Sequence, residues 1–160
     1  MIDRRFTLGS LGAGAAALLL FGRGARADAS THFSVSHSPA EWRKMLGPKR
    51  YSILREAATE RPFSSPLLSE HRKGVFTCAG CGRPLFASAT KFESGTGWPS
   101  FWKPLNGAVV NRSDRSMLME RTEVLCARCG GHLGHVFNDG PKPTGLRYCM
   151  NGLALQFRTA

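Results

Sequence analysis

The sequence lacks a hydrophobic run long enough to cross a membrane. Its N-terminal apolar stretch, from Thr7 to Phe21, covers 15 residues, whereas a spanning helix needs about 20. Low-complexity tracts are also missing, and the only internal repetition is a pair of Cys-x-x-C motifs. The length of 160 residues therefore predicts one domain with an appendage at one end.

Acidic residues are scarce. The chain has 11 aspartates and glutamates against 22 lysines and arginines, which gives a formal charge of +11. This excess suits a polyanionic partner, but it also suits a solvated basic surface. Because no dense block of lysine and arginine is present, the composition favours the solvated surface.

Residues 1–27 have the pattern of an export signal. Arg4-Arg5 precedes the apolar stretch, and Ala25-Arg26-Ala27 offers a small-x-small cleavage site before Asp28. The paired arginines resemble a twin-arginine signal, which predicts a periplasmic, exported protein. An uncleaved N-terminal membrane anchor is the alternative.

The remainder divides into a flexible linker over residues 28–36 and a domain over residues 37–160. Ser38-Pro39-Ala40-Glu41 predicts a capped helix start, and Gly47-Pro48 predicts its end. A second helix is expected from Lys49 to Thr59. These N-terminal helices are predicted to pack and to carry no chemistry.

Short strands are predicted from Gly74 onward, because apolar residues come in brief runs between turn residues. Arg112-Ser113-Asp114-Arg115 is expected to be a turn within this part. The pattern predicts a mainly β, antiparallel sandwich or barrel. The expected strands are Val75–Thr77, Pro84–Ala87, Gly107–Asn111, Met117–Leu125, Leu133–Phe137 and Leu153–Phe157.

Four of the five cysteines form two Cys-x-x-C knuckles, each with glycine close by. Four thiolates in a tetrahedron suit Zn²⁺, and a closed site of this kind is structural. Two disulfides and a redox-active Cys-x-x-C are the alternatives. The predicted metal ligands are Cys78, Cys81, Cys126 and Cys129.

Cys149 is the cysteine without a partner, and it is either a buried core residue or a reactive thiol. A working nucleophile needs neighbours that favour the anion. His132 and His135 are candidates, and Arg147 and Asn151 flank Cys149 at the spacing that shares one face of a strand.

An aromatic turn is a third feature. Trp98, Phe101 and Trp102 lie within five residues, framed by glycine and proline. Such a turn can form the wall of a pocket for a small apolar group, and it can equally belong to the core.

Three stretches in combination resemble the B-type methionine sulfoxide reductases, which act on the R epimer of methionine sulfoxide. They are residues 90–101 (TKFESGTGWPSF), 126–141 (CARCGGHLGHVFNDGP) and 147–152 (RYCMNG). The likeness extends over Pro39 to Thr159, nearly all of the chain after the predicted signal.

The resemblance implies two small antiparallel sheets in a barrel-like arrangement, N-terminal helices and a structural zinc. Cys149 matches the family nucleophile, which becomes a sulfenic acid as methionine is released. His132 and His135 match the histidines that assist protonation, and Asn151 matches the asparagine that orients substrate. Trp98 matches the tryptophan that receives the substrate methyl group, and Phe101 and Arg147 are expected to help bind substrate.

Thr96 is a departure from the resemblance, because many family members have a cysteine there that attacks the sulfenic acid. No sixth cysteine exists in this chain. We therefore expect an external thiol, thioredoxin-like or small, to regenerate Cys149. The other expected partners are oxidised proteins; no nucleic acid, no membrane after signal cleavage, and a monomer are expected.

Two functions of other classes stay open at this point. A basic zinc-ribbon module that binds nucleic acid would explain the knuckles and the charge. It would not explain the export signal, the lone cysteine or the aromatic turn. A structural zinc-stabilised β domain with a decayed site is the second.

Overall fold

The computed structural model describes residues 32–115 and 120–160. The predicted signal, residues 1–27, and the start of the predicted linker lie outside these residues. In the part of the chain that is described, no helix is long and apolar enough to cross a membrane.

The N-terminal helix α1 spans Pro39–Glu56. The Ser38 hydroxyl accepts from the Glu41 amide at 3.3 Å, and the Ser38 amide donates to the Glu41 carboxylate at 2.8 Å. This is the predicted capping box. Gly47 has a φ of +67° and is followed by Pro48, so the two predicted helices form one element with a kink.

Nine strands are found in the described residues. Short 3-10 turns cover Pro66–Ser69, Ser88–Thr90 and Gly152–Ala154. The strands are β1 (Gly74–Cys78), β2 (Pro84–Ala87), β3 (Lys91–Phe92), β4 (Ser100–Phe101), β5 (Val109–Asp114), β6 (Arg121–Cys126), β7 (His132–Phe137), β8 (Arg147–Met150) and β9 (Leu155–Thr159).

The strands form two antiparallel sheets. The smaller has the order β2-β1-β9, and the larger has the order β3-β4-β8-β7-β6-β5. This confirms the mainly β prediction with two small antiparallel sheets. The barrel-like part of that prediction needs correction, because neither sheet closes on itself among the described residues.

The predicted turn at residues 112–115 is instead largely strand. β5 continues to Asp114, which pairs with Arg121 at the start of β6. The Arg121 guanidinium donates to the Asp114 carboxylate at 2.7 Å. A run of polar residues therefore remains in the ladder because its side chains pair across the strands.

The core contains aromatic side chains from both sheets. Phe86 of the smaller sheet stacks on Phe101 of the larger at 4.3 Å between ring centroids, and Phe76 meets Phe101 edge-on at 4.9 Å. Phe101 is 0% exposed. Burial of such large apolar side chains stabilises the packing of one sheet on the other.

Part of the predicted linker is held against the domain. The Val35 amide donates to the Arg128 carbonyl at 3.0 Å, and the Phe33 ring covers Gly130 so closely that a side chain there would collide with it. Residues 33–35 therefore contact the second knuckle, although flexibility was expected for residues 28–36.

Candidate active site and metal centre

The four knuckle cysteines come together in space. Their sulfur atoms all lie within 4.8 Å of one another. Cys78 ends β1 of the smaller sheet and Cys126 ends β6 of the larger, so the cluster links the two sheets. Four sulfur donors around one point are the donor set that structural zinc prefers, and they leave no position open for substrate.

The cluster is not a pair of disulfides. The Cys78 and Cys129 sulfurs are 3.8 Å apart, and those of Cys81 and Cys126 are 3.6 Å apart, against about 2.05 Å for a bond. Hydrogen bonds from Cys129, Cys78 and Cys81 lower the pKa of the Cys126 thiol. The four residues therefore fit a zinc ion, and the disulfide alternative is wrong for this structure.

Cys149 lies on β8, between the two strands that pair with it. His135 of β7 stands opposite it on one side, and Ser100 of β4 stands opposite it on the other. Close approach of β7 depends on Gly134, because a Cβ there would lie 2.1 Å from the Cys149 carbonyl oxygen. The Gly-His spacing of the sequence thus brings the imidazole beside the thiol.

The Cys149 thiol opens into a small pocket of about 150 Å³. The pocket adjoins a second cavity of about 300 Å³, with which it shares His135, Arg121 and Thr59. The sulfur is half-buried, so a small group can reach it. Trp98, His135, Phe137 and Asn151 line the pocket beside the cysteine.

His135 pairs with a carboxylate. Its Nε2 lies 2.9 Å from Asp114 Oδ2. Burial lowers the pKa of His135, the hydrogen bond with Asp114 opposes that change, and the positive charge of Arg121 adds to it. His135 is therefore neutral at pH 7, with one nitrogen directed to Asp114.

His132 forms a second pair, with Glu123. Its Nδ1 lies 2.7 Å from Glu123 Oε1, and Arg112 donates to the other carboxylate oxygen at 2.9 Å. Burial opposes ionisation, yet the hydrogen bonds from His132 and Arg112 lower the pKa of Glu123. The ionised carboxylate accepts from Nδ1, and the buried Nε2 has no hydrogen-bond partner among the described residues. Nε2 is therefore the ring nitrogen that is left to meet another group.

Trp98 and Asn151 are held by one residue, Glu60. The Trp98 Nε1 donates to the Glu60 carbonyl at 3.1 Å, and the Glu60 amide donates to Asn151 Oδ1 at 3.0 Å. Asn151 Nδ2 donates to the Leu133 carbonyl at 3.3 Å. Both polar atoms of the Asn151 amide therefore bind protein backbone, while the side chain still lines the pocket.

Arg147 lies behind the pocket. Its Nε and Nη2 donate to the two Asp139 oxygens at 2.8 and 2.7 Å, and its guanidinium lies 4.4 Å from the Phe137 ring centroid. The hydrogen bond to Asp139 raises the pKa of Arg147 despite burial, and the nearby Cys149 thiol contributes in the same direction. Arg147 thus supports Phe137 and places positive charge near the sulfur.

Phe101 requires a correction. Its ring lies in the core between Phe76 and Phe86, and no part of it is exposed. Alternation along β4 turns Ser100 toward Cys149 and the neighbouring ring toward the smaller sheet. Phe101 therefore does not contact a ligand in this pocket, whereas Trp98 of the same turn lines it.

The sequence interpretation missed three acidic residues of the site: Glu60, Asp114 and Glu123. Only Glu123 carried a usable signal, because it directly precedes the apolar residues Val124 and Leu125 in β6. A carboxylate in such a position needs a partner. Strand register decides which histidine each carboxylate contacts. No local sequence pattern predicts that pairing.

Thr96 faces the nucleophile. Its Oγ1 lies 3.7 Å from Cys149 Sγ. The residue at the position where the resemblance implies a cysteine is thus in contact with the sulfur, and it brings a hydroxyl to that position.

Comparisons with known proteins agree with this site. The SelR domain matches residues 46–159. A protein of Leptospira interrogans is 53% identical over 128 residues, which are 79% of this chain and 98% of the relative. Proteins of Methanosarcina barkeri and Agrobacterium fabrum are each 55% identical, over 79% and 77% of this chain and 89% and 92% of their own. All three are named peptide methionine sulfoxide reductase MsrB.

The match covers the metal cluster, both histidine–carboxylate pairs, Thr96 and Cys149, since all of them lie within residues 46–159. This chain belongs to the SelR domain family, together with the MsrB reductases to which it is similar.

Proposed function

We propose that the protein reduces the R epimer of methionine sulfoxide residues in oxidised proteins to methionine, with Cys149 as the nucleophile. The observation that carries this is one pocket in which Cys149, His135 and Trp98 meet. A thiol, a group that handles a proton and an apolar wall are what a methyl sulfoxide requires.

The reaction needs one oxygen transfer and one proton. The Cys149 sulfur attacks the sulfoxide sulfur, the sulfur–oxygen bond breaks, and the oxygen remains on cysteine. The balanced step converts Cys–SH and R–S(O)–CH₃ to Cys–SOH and R–S–CH₃. His135 and His132, each paired with a carboxylate, hold the proton that the oxygen takes, and the Trp98 ring contacts the methyl group.

The structural zinc takes no part in these steps. Its four thiolates would link β1 of the smaller sheet to β6 of the larger. With those cysteines committed to the metal cluster, an external thiol regenerates Cys149. A thiol R′SH attacks the sulfenic acid to give Cys–S–S–R′ and water, and a second thiol releases Cys149 with R′S–SR′. The protein acts as a monomer. An intramolecular disulfide at Cys149 after one turnover, detected by mass spectrometry, would contradict this cycle.

The protein is also proposed to be exported. The paired arginines and the Ala-Arg-Ala site support a twin-arginine-like signal over residues 1–27, cleavage before Asp28 and a catalytic domain over residues 37–160 in the periplasm. N-terminal sequencing of the exported protein is expected to begin at Asp28. An intact N-terminus in a membrane fraction would favour an anchor.

Neither alternative function is favoured. A nucleic-acid module would need a base-reading surface, whereas the relatives that cover most of this chain are named as reductases. His135, which pairs with Asp114 and lines the Cys149 pocket, also argues against a decayed site.

The direct test is steady-state turnover of separate R and S methionine sulfoxide peptides with dithiothreitol, comparing the wild type with Cys149→Ser. Zinc content and circular dichroism establish that both proteins are folded. We expect turnover of the R peptide only, lost in the variant. Equal turnover of both epimers, or none in folded wild type, would reject the proposal.

A further inference from the structure

Three hydroxyl groups form a continuous chain that begins at Cys149. Thr96 Oγ1 lies 3.7 Å from the sulfur, Ser94 Oγ lies 2.8 Å from Thr96 Oγ1, and Ser100 Oγ lies 2.7 Å from Ser94 Oγ. Ser100 Oγ donates to the Trp98 carbonyl at 3.1 Å. We call Thr96, Ser94 and Ser100 the hydroxyl chain.

The direction of this chain follows from counting protons. Each hydroxyl has one proton to donate, and the Trp98 carbonyl can only accept. Ser100 therefore donates to the carbonyl, Ser94 to Ser100, and Thr96 to Ser94. In this direction Thr96 Oγ1 faces Cys149 as an acceptor. In this role Thr96 Oγ1 can accept a hydrogen bond from a thiol S–H or from the O–H of a sulfenic acid.

A thiolate requires the opposite direction, because it can only accept. Thr96 then donates to the sulfur, Ser94 to Thr96 and Ser100 to Ser94, so the carbonyl loses one donor. Hydroxyl protons rotate freely to suit their partners, and a hydrogen bond to an ionised acceptor is stronger than a neutral one. Reversal is therefore favoured when the sulfur carries charge.

We propose that the hydroxyl chain reverses as Cys149 changes state, donating to the thiolate before oxygen transfer and accepting from the sulfenic acid afterwards. Thr96 touches the reacting sulfur, whereas Ser94 and Ser100 are positioning residues. A cysteine at this position would consume the sulfenic acid, but a hydroxyl preserves it until an external thiol arrives. The second half of this inference rests on the proposed function.

The titratable and charged groups around the sulfur stay constant in the test. They are His135 from β7, Arg121 from β6 and Arg147 from β8, the strand of Cys149 itself. β4 contributes the uncharged Ser100, and the Glu60 carboxylate is directed to the Leu153 amide. A difference among threonine variants therefore reports the hydroxyl.

The test compares Thr96→Val, which keeps the shape and loses the hydroxyl, with Thr96→Ser, which keeps the hydroxyl. The first measurement is the iodoacetamide alkylation rate of Cys149 against pH in zinc-loaded protein, which needs no substrate. At pH 7 we expect alkylation about tenfold slower in Thr96→Val, since a hydrogen bond to a charged group is lost. Its pH profile should move to higher pH, while Thr96→Ser should match the wild type.

The second measurement is the lifetime of the sulfenic acid. Protein receives one equivalent of hydrogen peroxide, or of the R peptide, without reductant, and a dimedone probe is added after timed delays. We expect several-fold faster loss of the trapped adduct in Thr96→Val and wild-type decay in Thr96→Ser. The R peptide could fail to oxidise Cys149 while the peroxide and alkylation measurements still differ between Thr96→Val and Thr96→Ser. That result would reject the reductase proposal and support the hydroxyl chain.

Ser94→Ala tests the chain beyond its first member and carries the test if Thr96→Val does not fold. We expect alkylation of Cys149 to be about threefold slower. Thr96 loses the Ser94 hydroxyl that donates to it, and this donation strengthens the hydrogen bond from Thr96 to the thiolate. Equal alkylation and equal sulfenic acid decay in Thr96→Val, Thr96→Ser and wild type would overturn the role of Thr96. Wild-type behaviour of Ser94→Ala beside an impaired Thr96→Val would overturn reversal along the chain.

Discussion

The backbone amide of Glu60 donates to Asn151 Oδ1 at 3.0 Å, across 91 positions of the chain. The same residue accepts from Trp98 through its carbonyl, and its carboxylate accepts from the amides of Gly152 and Leu153. Glu60 is 7% exposed. One buried residue after the helix thus fixes the tryptophan wall and the turn that follows the nucleophile.

Glu60→Gln is expected to weaken both the fold and the activity. A glutamine can accept from one of the two amides, but its NH₂ group faces the other donor. The unsatisfied amide should reduce the free energy of unfolding by about 1–3 kcal/mol, and displacement of Trp98 should lower kcat. Urea denaturation and turnover measure the two effects.

Glu93→Gln is the matched control, because the Glu93 side chain is 64% exposed and its carboxylate pairs with Lys91 at 2.8 Å. It should change stability by less than about 1 kcal/mol. Equal effects of the two substitutions would show that the Glu60 contacts do not support the site.

Removal of zinc should unfold much of the domain. Apparent zinc binding energies of about 10–16 kcal/mol in zinc-finger peptides exceed the net stability of about 5–15 kcal/mol of a typical domain, and this cluster joins both sheets. Chelation should abolish the circular dichroism signal of folded protein. Cys126→Ser should lose zinc and structure, while Cys149→Ser should keep one zinc per chain. A folded, metal-free protein would contradict this assignment.

Acidification should destabilise the protein through His135. Its folded pKa is lowered, chiefly by burial, so between the unfolded value of about 6.5 and the lower folded value the unfolded chain binds more protons. Stability is therefore fully present above about pH 6.5 and falls as pH decreases toward the folded pKa.

Urea denaturation of wild type and His135→Gln at pH 7 and pH 5 measures this contribution. The variant should lose less free energy of unfolding between the two pH values. His71→Gln, at an exposed histidine, should retain the wild-type difference. If the free energy of unfolding of His135→Gln changed with pH as much as that of the wild type, another group would bind the proton that destabilises the fold.

Thr96→Cys should convert the catalytic cycle to one with an internal disulfide. The Thr96 oxygen is already 3.7 Å from the Cys149 sulfur, and a small rotation brings an introduced thiol within the bond length of about 2.05 Å. After one turnover without reductant, the variant should lose two hydrogens in intact mass and become resistant to dimedone. Persistent dimedone labelling would show that the introduced thiol cannot reach the sulfenic acid.

Local sequence signals predicted the parts of the site that depend on spacing along the chain. The knuckles, the capped helix and the Gly-His repeat beside Cys149 are of this kind. Glu60 could not be predicted, because its carboxylate meets backbone amides 92 and 93 positions away. Phe101 was assigned to the pocket because it neighbours the tryptophans, and the two-residue alternation of β4 decided its direction.

Cys149 is expected to take oxygen from the R epimer once per enzyme in the absence of a reductant. Zinc-loaded protein is mixed with an excess of R or S methionine sulfoxide peptide, and the methionine peptide formed is quantified. We predict about one equivalent from the R peptide with Cys149 recovered as a dimedone adduct, and none from the S peptide or from Cys149→Ser. Methionine formed by folded Cys149→Ser, or by wild type without oxidation of Cys149, would contradict the claim.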